Sequence, residues 1–293
     1  MLVTCLPNTD RTHLSQTLHE LHRTVSNLAG GVVGGDASAW LLAYLDWAND
    51  AARTLRLLVS SDDIDRLVLT RRYELLLAVA GRPIGIGGQQ RLVNGLVSIE
   101  IDHRIAAFAD TCAAVDEQIG LWTRPGVFVV ADTSVYIKHD QKLEELGFAP
   151  LVSVRENPIH VLVPIVVIDE LDRLKDTKDT HVRWRAAYTL SVLDRVCGQI
   201  TGPARLHAAD FSTLDHGGIP RGEVTIEIVT DPPHHIRLPI NDDEIIARAK
   251  SFEPLTGQPI TLLTFDTNQT TRARKAGLSV RKLTQDIGPE PKK

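Results

Sequence analysis

Four stretches of this chain place a carboxylate at or just behind an apolar run. Residues 127–131 lead into Asp132, followed by Thr133 and Ser134; residues 165–168 lead into Asp169 and Glu170. Residues 260–265 lead into Asp266, followed by Thr267 and Asn268, and a fourth acid, Asp242, opens the segment Asp242-Asp243-Glu244-Ile245-Ile246 after Asn241. An acid at the end of an apolar strand lies at the carboxyl edge of a sheet, where open α/β sheets bind their ligands. Carboxylates gathered there repel one another, and their pKa values rise unless a cation neutralises them. Hard divalent ions such as Mg²⁺ and Mn²⁺ prefer oxygen ligands. Held against a phosphate, one ion activates water and the other stabilises the leaving oxygen of an in-line displacement. Asp is also a preferred helix N-cap, so any one of these acids taken alone reads better as a cap. The repetition points to chemistry.

Positioning such acids requires strands alternating with helices, and residues 122–293 read that way. Residues 127–130 and 260–265 are apolar strands, and 161–168, interrupted by Pro164, is a further one. Residues 143–146 read as helical, 171–196 as one long helix and 243–250 as another. Residues 224–229 alternate apolar and polar, which predicts an antiparallel hairpin with 236–240 beyond the turn Asp231-Pro232-Pro233. Residues 1–121 differ. Leu14, Leu18, Leu21, Val25 and Leu28 recur at helical spacing, as do apolar residues within 39–58, 64–79 and 92–119, and no strand pattern persists. The expectation is an all-α N-terminal domain over 1–121, of unknown role, followed at Thr123-Arg124-Pro125-Gly126 by an α/β domain over 122–293. The tail from Gly288 reads as frayed.

The four acidic segments carry a resemblance. Val-Val-Ala-Asp132-Thr133-Ser134, Val-Pro-Ile-Val-Val-Ile-Asp169-Glu170-Leu-Asp-Arg-Leu-Lys, Asn241-Asp242-Asp-Glu-Ile-Ile and Leu-Leu-Thr-Phe-Asp266-Thr-Asn268 together resemble the PIN domain of metal-dependent ribonucleases, over about residues 125–287. The second and third segments are similar to the nonsense-mediated-decay and PhoH-associated types of PIN domain. The resemblance implies a Rossmann-like, three-layer domain around a mainly parallel sheet. It also implies one or two Mg²⁺ or Mn²⁺ ions held by a catalytic tetrad of Asp132, Glu170, Asp242 and Asp266. Thr133 or Ser134 matches the hydroxyl beside the first acid, Asn268 the polar residue after the last, and Asp243 a supporting contact. Asp242 is preferred over Asp243 because the family acid directly follows Asn. Asp169 precedes the matching Glu and would face the other way along an extended backbone, as a cap. The stretch 201–240 is longer than the usual connection before the third acid. The implied activity is endoribonucleolytic: metal-activated water attacks phosphorus, the 3′ oxygen leaves, and the downstream fragment carries a 5′-phosphate.

Other residues have weaker claims. Arg173, Lys175, Lys178, His181, Arg183 and Arg185, with Trp184 among them, follow Glu170, while Arg272, Arg274 and Lys275 follow Asp266. They could contact the backbone of a single-stranded RNA, with Trp184 stacking on a base. The competing reading is a solvated helix face with pairs such as Asp179–Arg183 and Trp184 in the core. His234-His235 reads as a surface turn, and His19 with His22 as a bundle surface. Gly85-Ile86-Gly87-Gly88 follows no strand and lacks a Lys-Ser/Thr pair, so it is a loop.

Composition sets the outer bounds. Of 293 residues, 43% are apolar and 24% charged, the mix of a folded globular chain. Net charge is −5, which excludes a generic polycation, but residues 122–293 hold 23 acids against 22 bases, and two divalent ions would make that domain cationic. Cys5, Cys112 and Cys197 form no Cys-x-x-Cys pair, which argues against a thiolate zinc site or a disulfide framework. With no membrane-length apolar run and no signal-peptide pattern, a cytoplasmic protein is expected. Two other functions compete with the nuclease. One is a non-catalytic PIN-fold module that binds RNA or protein. The other is the toxin of a toxin–antitoxin-like pair, with the helical domain contacting an inhibitor or a second copy. A haloacid-dehalogenase-type phosphatase is disfavoured, because Asp132-Thr133-Ser134 lacks the required Asp-x-Asp.

Overall fold

The computed structural model describes residues 3–6, 9–30, 37–81, 88–198, 202–212, 214, 220–232 and 235–284. The chain divides into two compact units, Met1–Trp122 with Pro232–His235, and Thr123–Asp231 with Ile236–Lys293. The proposed fraying of the tail lies outside the described residues. Among the described residues, no helix is long and apolar enough to cross a membrane. All three cysteines are free and buried.

The first unit is helical: α1 (Arg11–Leu28), α2 (Ala37–Leu55), α3 (Ser61–Leu67), α4 (Arg71–Ala80) and α5 (Gly88–Trp122). Helix α1 begins where the Asp10 carboxylate accepts from the His13 amide at 2.8 Å, and its stripe Leu14, Leu18, Leu21 and Val25 is buried. The span 64–79, expected as one helix, is two. Thr70 caps α4 by accepting from the Tyr73 amide at 3.2 Å, and Arg104 donates to the carbonyls of Arg66 and Leu67 at the end of α3. A continuous leucine pattern hides such a break because both helices bury the same kind of side chain. An isolated antiparallel bridge joins Cys5 to Val59, a pairing the helical pattern did not suggest. Of the glycine stretch 85–88, Gly88 opens α5 and 85–87 lie outside the described residues. Glu100 of α5 is almost fully buried. It meets Arg104 at 3.0 Å and Arg72 at 3.1 Å and accepts from the hydroxyls of Thr70 and Tyr44. A buried carboxylate is tolerated only with such a set of partners.

The second unit is built on a six-stranded sheet in the order β3-β4-β2-β1-β5-β6, with β1 (Val127–Ala131), β2 (Ile159–Pro164), β3 (Ala204–His207), β4 (Val224–Val229), β5 (Ile260–Thr264) and β6 (Ser279–Lys282). All neighbours are parallel except β3, which runs antiparallel to β4. The mixed α/β class with a mostly parallel sheet is therefore as expected. Phe128–Ala131 are buried without alternation, as a strand covered on both faces requires. Gly126 precedes them at φ +143, and a Cβ there would stand 2.6 Å from the Pro158 carbonyl oxygen, so only glycine lets β1 begin beside β2. From β1 the chain builds outward through β2 and β4, then returns to the other side of β1 with β5. This order reversal places a crevice at the carboxyl end of β1.

The helices of this unit are α6 (Thr133–Lys138), α7 (Phe148–Leu151), α8 (Ile165–Leu174), α9 (Thr180–Cys197), α10 (Asn241–Thr256) and α11 (Thr267–Lys275). Four expectations need correction. The strand expected over 161–168 ends at Pro164, and residues 165–168 are the first turn of α8. Proline lacks the amide that would extend the ladder and suits a helix entry, which apolar composition cannot reveal. The long helix 171–196 is broken at 175–179, where Asp179 caps α9 through the amides of His181 and Val182. Residues 143–146 form a turn ahead of α7. Finally, β4 pairs with β2 and β3, while 236–240 form no strand and Ile236 is 80% exposed. The polar residues of β4 misled the hairpin reading. Thr225 and Glu227 are buried, and Thr225 bonds the buried His160 ring at 2.8 Å, so their alternation marks no solvent face.

Candidate functional site

Three of the four tetrad acids sit at helix starts, and each is held by groups the local fold supplies. Asp132 follows β1 and caps α6. One of its oxygens accepts from the Ser134 hydroxyl at 2.6 Å and the Val135 amide at 3.2 Å, and the other from the Thr264 hydroxyl at 2.6 Å. Asp266 caps α11, with Oδ1 accepting from the amides of Asn268 and Gln269 at 2.6 and 2.9 Å. Its own amide donates to Thr264 Oγ1 at 2.9 Å, and the Phe265 amide donates to Ser134 Oγ at 3.0 Å. The ends of β1 and β5 are thus stitched together around Asp132. Both acids are helix caps, the role that either one alone suggested on sequence.

Glu170 comes from the second turn of α8 rather than from a strand end. Its two oxygens accept from the Thr133 hydroxyl and, at 2.7 Å, from the Asn241 amide group. Asp242 lies in the first turn of α10. The electrostatics tie the four together. Burial raises the Asp242 carboxyl, Asp266 and Glu170 raise it further, and Arg272 partly offsets them. Burial likewise pushes Asp132 up to about 6, against the hydroxyl and amide donors that pull it down, with a smaller upward push from Asp242. The Arg272 guanidinium makes its hydrogen bonds to Asp243, bidentate at 2.8 Å, and to Asn268 Oδ1 at 3.3 Å. Of the two neighbouring acids of α10, Asp243 takes the arginine's hydrogen bonds, and it too raises the Asp242 carboxyl. Carboxylates that repel one another are, by their chemistry, the donors a hard divalent cation prefers.

The supporting residues divide. Thr133 and Ser134 each bind a tetrad carboxylate, Asp243 binds Arg272, and Asn268 serves Asp266 through its backbone amide while its side chain meets Arg272. Thr264 and Asn241 were given no role on sequence, yet they clamp Asp132 and Glu170. The available signal was a hydroxyl two residues before Asp266 and the Asn beside Asp242. Asp169 is no cap. It lies within α8 and pairs with Arg237, which also holds Asp231 at 2.7 Å. In a helix, adjacent side chains diverge by about 100°, which separates Asp169 from Glu170.

Among the basic candidates, Arg173, Arg274 and Lys275 are exposed in the last turns of α8 and α11, and Lys175 pairs with Asp172 at 2.5 Å. Arg185 is a correction: it is 4% exposed and cannot reach a ligand. Its guanidinium donates to the carbonyls of Tyr136, His139 and Gln141 at 3.0, 2.8 and 2.8 Å, fixing the chain that leaves α6. Trp184 is not in the core; it is 51% exposed.

No curated protein matches this chain. Nine solved chains do match. One, "A domain of a functionally unknown protein from Methanocaldococcus jannaschii DSM 2661", is 16% identical over 56% of this chain and 96% of its own, with a TM-score of 0.34, too low to support an argument. The family model of the PIN domain matches residues 129–284, more than half of the chain and all four acid-bearing segments. On that match, the chain belongs to the PIN domain family.

Proposed function

We propose that this protein is an endoribonuclease dependent on Mg²⁺ or Mn²⁺, of the nonsense-mediated-decay or PhoH-associated type of PIN domain, acting on single-stranded RNA. The observation that carries the reading is that hydrogen bonds tie the four acid-bearing segments together at the carboxyl end of a parallel sheet: Thr133 and Asn241 on Glu170, and Thr264 between Asp132 and the Asp266 amide. Such a gathering of acids is costly in an empty scaffold and natural in a cation site. The bound ion would supply a water activated for attack and neutralise the charge building on the phosphate. The chain's own contribution is position: Thr264 and Ser134 orient Asp132, and Thr133 and Asn241 orient Glu170. Arg173, Lys175, Arg274 and Lys275, at helix ends, are the proposed backbone contacts, with Arg272 shared between Asp243 and the substrate.

Calorimetric titration with Mn²⁺, followed by cleavage of an end-labelled single strand, tests this. The expected result is saturable Mn²⁺ binding, cleavage abolished by chelation, and products bearing a 5′-phosphate. A protein that binds no Mn²⁺ and leaves the strand intact would instead be a PIN-fold binding module. The helical unit is proposed to bind a protein, either a second copy or an inhibitor. Leu92, Leu96 and Ile99 support this, exposed at helical spacing along α5.

A further inference from the structure

We propose that Trp184, backed by Tyr188 and flanked by Lys142, is a stacking subsite for an unpaired base of an RNA strand, separate from the residues that hold the acids. The proposal rests on the reading of the protein as an RNA enzyme and adds where the strand is gripped away from the scissile phosphate. Trp184 and Tyr188 lie one helical turn apart on α9, their rings 5.3 Å apart and 19° from parallel. Lys142 Nζ stands 6.0 Å from one ring centroid and 5.7 Å from the other.

The rest of the neighbourhood holds this pair in place. The Tyr188 hydroxyl donates to Glu144, which Arg195 also engages, and the His207 ring meets the Glu144 carbonyl at 2.8 Å. Arg185, the next residue on α9, clamps the carbonyls of 136, 139 and 141 and thereby sets the approach of Lys142. Lys142 also pairs with Glu145 at 3.2 Å, a surface contact that a phosphate can displace. Despite all this anchoring, half of the Trp184 surface stays open to water. A pre-ordered aromatic step beside an ammonium is the element that single-strand binders use, since every base offers a π face.

The surroundings favour RNA over a protein partner. Among the described residues, α8 and α9 expose no other large apolar side chain, so on these two helices Trp184 has no aliphatic patch around it. Lys178, His181 and Arg183, close by in sequence, are exposed and basic.

Trp184 is the most exposed of the four tryptophans, with Trp47 and Trp122 buried and Trp40 half-buried, so a bound strand reaches its ring first and Trp184→Phe identifies its share of the signal. The test uses full-length protein carrying Asp266→Asn to prevent cleavage, titrated with a 12-residue oligouridylate and with a duplex of equal length. Saturable quenching of tryptophan fluorescence by the single strand is expected, and it should vanish in Trp184→Phe. By anisotropy, Trp184→Ala should weaken single-strand binding about tenfold, whereas Trp184→Phe, which keeps a ring, should recover most of it. Unchanged affinity in Trp184→Ala, or an equal loss for strand and duplex, would overturn the subsite. Cleavage by the otherwise native chain separates the two ideas. Cleavage without a Trp184 effect sinks the subsite and spares the nuclease. Quenching and the tenfold loss without cleavage sink the nuclease and spare the subsite.

Discussion

Replacing Asp132 by Asn is expected to cut RNA cleavage by at least about a thousandfold while making the metal-free protein more stable above pH 6. The two effects share one cause. Asp132 is 4% exposed, and burial raises its carboxyl from 3.8 to about 6. A raised acid binds its proton more tightly in the folded state than in the unfolded one. Metal-free stability therefore falls as pH climbs from about 4 to about 6 and is flat beyond; that difference corresponds to about 3 kcal/mol. Asparagine can still accept from Ser134 and Val135 but carries no charge, so the penalty goes. Its amide cannot accept from Thr264, which returns part of the gain. Thermal melts at pH 4, 6 and 8 should show the variant converging on the native protein at low pH and exceeding it by a few degrees at high pH. With Mn²⁺ present the order should invert, because the ion stabilises only the chain that binds it. A variant that cleaves at the native rate would remove Asp132 from the chemistry; one that melts below the native protein at pH 8 without metal would deny the electrostatic cost.

The largest loss of stability is expected at Arg185. Truncation to Ala removes three hydrogen bonds and leaves the carbonyls of Tyr136, His139 and Gln141 without their shared partner. Burial lowers the guanidinium pKa, and the nearby Glu145, Tyr188 and Asp140 act the other way. Unpartnered polar groups cost about 1–3 kcal/mol each, less where water can enter, so about 3 kcal/mol is expected in total. That corresponds to a melting temperature lower by about 6–12 °C for a unit of this size. Arg185→Lys should recover only part, since a compact ammonium cannot span three carbonyls as the planar fork does. Well below the transition, RNA affinity should fall no further than Lys142→Ala makes it fall, because Arg185 acts on the strand only through the placement of Lys142. A variant with native melting and weakened RNA binding would show that Arg185 touches substrate after all.

Much of the site was legible because its parts are local. A short apolar run, an acid and a hydroxyl are contiguous in the chain, and the segments bearing Asp132 and Asp266 fold as strand, cap and helix as their composition suggests. Glu170 was assigned to the tetrad through its segment, yet the element beneath it was misread, because Val161-Leu-Val-Pro-Ile-Val-Val-Ile is apolar whether extended or helical. Pro164 alone divides the two. The assignment of Asp169 as a cap failed for the same reason: on a helix it turns toward Arg237.

Other features depend on partners far away in the chain. Arg185 and Arg183 are alike in sequence, but one lies under the chain leaving α6 and the other in solvent. Thr225 and Glu227 look like an exposed face on sequence, yet both are buried, Thr225 against the His160 ring of β2. Thr264 matters because β5 lies beside β1, which brings its hydroxyl to a carboxylate 132 residues earlier. Periodicity, caps and turn residues act over a few positions, so the sequence by itself determined the α-then-α/β order and the four acid-bearing segments. Strand order is a global choice of which surfaces bury one another. Only the tertiary structure decided that Arg272 takes Asp243 as its hydrogen-bonded partner, that Glu170 projects from a helix, and that Trp184 stands open at the surface.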